Sequence, residues 1–207
     1  METFIQGLLL QSSLILALGA QNLFVLDCGV RKRNPLLVAI TCGVCDLVLI
    51  ILGVLGAAAL FRAAPLIQPV IGALGVLFLF YYGFLKLREG LRSTAISQTA
   101  ADQSVTLKAT LIAALSFSLL NPHVYLDALV LIGGYSTKFP AMGERLLFGA
   151  GAASFSVIWF LALAFGAAAI STHLQSAKVL RGLSLASGVV LIALSFKLGT
   201  EALSWIQ

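Results

Sequence analysis

Charge is what this chain has least of. Of its 207 residues 10% are Asp, Glu, Lys or Arg, against 60% hydrophobic, and the mean hydropathy is +1.04. No water-soluble domain of this size needs so much apolar material, so a polytopic membrane protein is expected. Cysteine is scarce and one-sided, with Cys28, Cys42 and Cys45 and none beyond. An odd number placed in or beside apolar runs excludes a disulfide framework. The two histidines, His123 and His173, are far apart, and the second is expected in a cytoplasmic loop, so no metal site is expected. There is no P-loop, no Ser-His-Asp set and no dinucleotide fingerprint, so neither enzyme chemistry, a cofactor nor ATP-driven transport by this chain is expected. The first apolar run lacks a basic leader and a cleavage site, and reads as a span, not a signal peptide. The net charge of +5 would suggest nucleic acid in a soluble protein. Here the basic residues cluster between apolar runs, where they set orientation and meet anionic lipid headgroups, so membrane lipid is the expected partner and nucleic acid is not.

What is present is six apolar segments, at about Phe4–Leu26, Leu36–Phe61, Ile67–Leu87, Thr110–Gly133, Leu146–Ile170 and Leu183–Trp205. The predicted fold is all-α with six transmembrane helices in a single domain, residues 1–207. Repeat one covers about 1–92, a polar cytoplasmic linker about 93–108, and repeat two about 109–207. Arg31, Lys32, Arg33, Lys86, Arg88, Arg92, Lys108, Lys178 and Arg181 fall on one side, and Arg62, Lys138 and Arg145 on the other. The positive-inside rule then puts the first, third and fifth loops in the cytoplasm and both termini outside.

The halves resemble each other. Displaced by 100 positions, Leu26-Asp27 falls on Leu126-Asp127. At a displacement of 110, Gly56-Ala57-Ala58-Ala59 matches Gly166-Ala167-Ala168-Ala169 and Asp46 falls on Ser156. Gly75-Val76 pairs loosely with Gly188-Val189, and Glu89 with Glu201. Three spans per half is an odd number, so the second half is expected upside down relative to the first. That is the inverted repeat by which secondary transporters reach alternating access around a midplane site. Each half also carries an interrupted first span, at Gly19-Ala20-Gln21-Asn22 and at Asn121-Pro122. Pro122 has no N–H and its ring clashes with the Ser118 carbonyl, so the helix must kink or break there. Such breaks survive at membrane depth where the freed backbone lines a wet cavity.

Asp46 is the eleventh residue of a span that starts near Leu36, close to the expected midplane. Burying a lone carboxylate there costs at least about 2.5 kcal/mol, so a cation, a proton or water must compensate, or the acid is protonated and hydrogen-bonded to a neighbouring helix. Asp127 lies roughly 9 Å along the helix from Asn121, toward the outer side. Asp27 mirrors it, but sits four residues from Arg31 at a helix end, which favours a surface pair or cap. Gln21, Asn22 and Asn121 offer amide donors and acceptors beside the breaks, either to a guest or to a neighbouring helix. Half-helices ending there expose N–H groups for a carboxylate and carbonyls for an ammonium. His123 could relay protons or simply hydrogen-bond within the helix. Cys42-Gly-Val-Cys45 has redox spacing without the strand-to-helix setting that lowers a thiol pKa, and reads as small-residue packing. Gly53/Ala57 and Gly149/Ala153 read the same way, and such stripes are compatible with a homodimer.

With Gly-Ala-Gln-Asn at 19–22, Cys-Asp-Leu-Val-Leu at 45–49, Ser-Phe-Ser-Val-Ile-Trp-Phe at 154–160 and Leu-Asn-Pro-His-Val-Tyr-Leu-Asp at 120–127, the chain resembles the LysE family of amino-acid exporters over its whole length. The last string, including Tyr125, is similar to the branch that exports L-lysine and L-arginine. One departure is Ala20, where the family has proline, which leaves Gly19 to hold the first break. The resemblance implies export of basic amino acids across the bacterial inner membrane, coupled to protons or to the membrane potential. The candidate substrate and proton site is Gly19, Gln21, Asn22, Asp46, Asn121, Pro122, His123, Tyr125 and Asp127. The deep acids agree with a cationic guest. Two rivals remain: an exporter of neutral amino acids, and a membrane thiol–disulfide electron carrier. The second needs a reactive cysteine in each half, and the second half has none.

Overall fold

The computed structural model describes residues 1–16, 19–56, 67–91, 106–174 and 177–204. Ala57-Ala58-Ala59, most of the linker, Arg62, Arg92 and Trp205 lie outside the described residues. Among the described residues every regular element is helical. In chain order these are α1 (Glu2–Ile15), α2 (Ala20–Val30), α3 (Pro35–Val54), α4 (Ile67–Leu91), α5 (Leu107–Leu119), α6 (Pro122–Ser136), α7 (Met142–Leu174) and α8 (Ala177–Ser204). α3, α4, α7 and α8 are each long and apolar enough to cross a membrane. The pairs α1 with α2 and α5 with α6 reach that length only together, and they are bent by 83° and 59°. Among the described residues there are therefore four such helices, or six spans if each bent pair is one.

The ends of these helices follow from local chemistry. α3 opens on Pro35, whose missing N–H is one the first turn leaves unpaired anyway, behind Asn34 at φ 47°. Thr106 caps α5 by accepting from the Ala109 N–H at 3.2 Å. α7 carries its helix through the polar residues Ser171, Thr172 and His173 to Leu174, so His173 belongs to a helix and not, as expected, to a loop. Helical hydrogen bonding does not stop where hydrophobicity does.

Packing crosses between the halves. α1 runs beside the first half of α7 in the same direction: Gly7 lies against the Phe148 carbonyl, Gly151 against that of Phe4, and Gln11 reaches Ser156. α6 lies on the far part of α3, with Gly53 against the Ala128 carbonyl and Gly133 against that of Gly53. In both places a Cβ would collide with backbone, so only glycine lets the helices come this close. α4 and α8 pack antiparallel, Gly83 meeting Gly188 while Gly90 meets Leu185. Buried apolar side chains of α2, α3, α5, α7 and α8 form one core around Val25, Phe117 and Phe160.

Candidate substrate cavity

The two bends face each other across a cavity of about 450 Å³. At the first, Gly19 is extended (φ −92°, ψ 174°) and stands ahead of α2. Any residue adopts that backbone, and no neighbour crowds the site of a Cβ, so glycine is not required by conformation there. At the second, Asn121 is extended and its Oδ1 accepts from the His123 N–H at 3.2 Å. Pro122 occupies the first position of α6, which follows α5 at a bend of 59°. The Tyr125 hydroxyl donates to the Leu119 carbonyl at 2.8 Å, which satisfies a terminal acceptor of α5. Beyond it the backbone widens into a π-helix over Leu126–Ile132, a form often found at functional sites.

Seven of the nine candidate residues line the cavity: Gly19, Gln21, Asn22, Asp46, Asn121, His123 and Asp127. Pro122 is buried behind it, and Tyr125 spans the break. Asp46 is the twelfth of the twenty residues of α3 and is 6% exposed. Its Oδ1 is buried with no hydrogen-bond partner, while the side chains of Ser156 and Gln21 face the carboxylate. Gln21 Nε2 donates to Ser118 Oγ at 3.1 Å. Asn22 donates to the Ile15 carbonyl at 2.8 Å and accepts from Trp159 Nε1 at 3.2 Å, tying the bend to α7. His123 Nε2 lies 3.0 Å from Glu201 Oε2. Cys28, Cys42 and Cys45 are free and buried.

The residue that sequence reasoning passed over is Gln11. It lines the cavity, is 6% exposed, and donates from Nε2 to Ser156 Oγ at 2.6 Å, while its Oε1 has no partner. The signals are an amide within the first apolar run, well before the break, and Ser156 as the residue on which Asp46 falls in the repeat. Lys197 and Leu194 of α8 also reach the cavity. Asp27, in turn, is corrected. It is no surface pair: it is 1% exposed and takes both Arg31 Nε at 2.8 Å and Lys86 Nζ at 2.6 Å. Two cations, Arg31 just past α2 and Lys86 near the end of α4, are drawn inward because a buried carboxylate needs them.

A buried acceptor without a donor costs about 1–3 kcal/mol, and more for a charged group. Two of them, Asp46 Oδ1 and Gln11 Oε1, face a cavity also reached by Asp127. Such a wall suits a guest rich in N–H donors.

The description LysE type translocator matches residues 12–202. The chain is 38% identical to a putative amino-acid transporter, YggA, of Aeromonas salmonicida, over 97% of each chain. It is 35% identical to the arginine exporter protein ArgO of Enterobacter sp. (strain 638), over 99% of this chain and 96% of that one. It is 36% identical to the arginine exporter protein ArgO of Klebsiella pneumoniae, over 99% and 96%. No solved structure matches it. The apolar helices and these likenesses make it a multi-pass membrane transporter for amino acids, not an enzyme. It belongs to the LysE type translocator family.

Proposed function

We propose that the chain exports basic amino acids, arginine and lysine, across the bacterial inner membrane by alternating access, in exchange for protons. One observation carries the reading: the buried, unpartnered Oδ1 of Asp46 on the wall of a cavity that Asp127 also lines. A guanidinium brings five N–H donors and a fixed positive charge, an ammonium three. The amides and backbone ends at the two bends serve the α-carboxylate and α-ammonium common to all amino acids. The relatives named as arginine exporters support the same substrate.

Each bent pair is read here as one broken span, which gives six spans in two inverted repeats joined by the linker at about 93–108. The exchange of partners supports it: the broken span of each half packs on the second span of the other, α1 on α7 and α6 on α3. The basic residues around Arg31–Arg33 put the α2–α3 loop in the cytoplasm and both termini outside. Moving a cation outward works against about 2.3 kcal/mol per charge per 100 mV of inside-negative potential, so a returning proton supplies the drive. A carboxylate that binds the cation, then a proton, is enough for such an exchange.

The test is Asp46→Asn, nearly isosteric and cheaper to bury than a charge. Arginine efflux should fall to background while membrane abundance stays at the parental level. Parental efflux would remove Asp46 from the mechanism.

A further inference from the structure

A second set of charges lies one layer below the cavity. Along α2 the order is Gln21 on the cavity wall, Phe24, then Asp27; along α4 it is Leu79, Tyr82, then Lys86. Phe24, Tyr82 and Phe78 close on Phe117 with ring centres 4.6, 4.9 and 4.8 Å away, and in sequence Phe24 and Tyr82 fall between the cavity-lining Gln21 and Leu79 and the charges of Asp27 and Lys86. Asp27 holds Lys86 and Arg31. Arg31 Nη1 reaches Glu89 Oε1 at 2.6 Å, Lys86 Nζ lies 3.3 Å from Glu89 Oε2, and Arg31 Nη2 donates to Ser184 Oγ at 2.5 Å. The side chains of Arg31, Asp27 and Lys86 are 0%, 2% and 5% exposed. Two acids and two bases cancel, and they join α2, α4 and α8. An apolar layer would seal this end at lower cost in desolvation. A seal made of charges is one that can come apart into water.

The other end of the cavity carries the same parts. Asp127 stands on the second helix of its bent pair, as Asp27 does. Lys197 precedes Glu201 by one turn on α8, as Lys86 precedes Glu89 on α4. His123 takes Glu201, as Arg31 takes Glu89. The arrangement differs, however. Lys197 is 66% exposed, 3.9 Å from Glu201, and Lys197, His123 and Asp127 all face the cavity. One set is close-paired and buried, the other looser and exposed.

We infer that the two sets are the paired gates of transport. Asp27 with Lys86 holds the cavity shut on the side of the α2–α3 loop, and Asp127 with Lys197 shuts the opposite side when the first pair parts. The inference rests on the alternating-access reading and adds its positioning residues. Because one pair forms as the other breaks, the two states lie close in energy, as a bistable device requires.

Cys28, next to Asp27 and 3% exposed, reports on the first gate. In a Cys42→Ala/Cys45→Ala background, the rate of Cys28 alkylation by N-ethylmaleimide is measured in native membranes. Lys86→Gln should speed it at least about tenfold, because the first gate loses its bridge. Lys86→Arg should return it to the parental rate. Lys197→Gln should slow it several-fold, because the opposite gate can no longer hold the state in which the first is open. A loosened fold would speed both Gln variants. Equal signs, or no change in either, overturn the inference. The readout needs no substrate, so it stands even if Asp46→Asn proves the exporter reading wrong.

Discussion

Asp46 and Gln11 each keep one oxygen buried against the cavity without a donor. They reach that wall from different helices, held by a single serine that receives Gln11 at 2.6 Å and faces Asp46. Since the Gln11 amide donates to it, the Ser156 hydroxyl proton is left for the carboxylate. Hydrogen bonds to charged groups contribute about 1.5–3 kcal/mol, so Gln11→Leu should raise the KM for arginine export by roughly tenfold or more, with abundance unchanged. An unchanged KM would reduce Gln11 to a packing residue. Asp46 stands out in sequence because a lone acid in an apolar span needs a cation, a proton, water or a neighbouring helix to compensate it. Gln11 does not, since its partner lies 145 positions away and an amide in a span is as often an interhelical tie.

At the scale of elements, the second bend is a break capped from both sides. Asn121 serves the start of α6 and Tyr125 the end of α5. The Asn-Pro string announces that break, because proline removes a donor and asparagine supplies an acceptor. The π-helix that follows has no such signature, and it lies where Ala128 and Leu129 meet Gly53 of α3. That contact is where Gly133 meets the Gly53 carbonyl, while Gly134, one residue on, has no neighbour within 4 Å of a Cβ position. Gly133→Val should therefore destabilise the protein by about 1–3 kcal/mol, read as a lower Tm in detergent, and Gly134→Val should leave it near the parental value. Equal effects of the two would mean that α6 does not rest on α3 as described. The first bend is less legible. Gly19 adopts a conformation open to any residue, so its place at the break follows from what the cavity leaves empty and not from backbone freedom.

For the whole molecule, the arrangement follows from a shortage of charge. With a tenth of its residues ionisable, nearly every acid placed deep has an assignment. Asp27 is sealed with two bases, Glu201 pairs with His123, and Asp46 and Asp127 line the cavity. Hydropathy makes the apolar helices legible and the family strings make the transporter class legible. Neither reveals that Arg31 and Lys86 turn inward, because the pull on them comes from a carboxylate on another helix. Exchange of a basic amino acid for protons is read out by uptake into inside-out vesicles. Labelled arginine, lysine and leucine are offered with and without an imposed pH gradient, acid inside. Arginine and lysine should accumulate when the gradient is present, collapse to equilibration when it is dissipated, and leave leucine at background throughout. Accumulation of leucine to the same level, or arginine uptake indifferent to the gradient, would contradict the account.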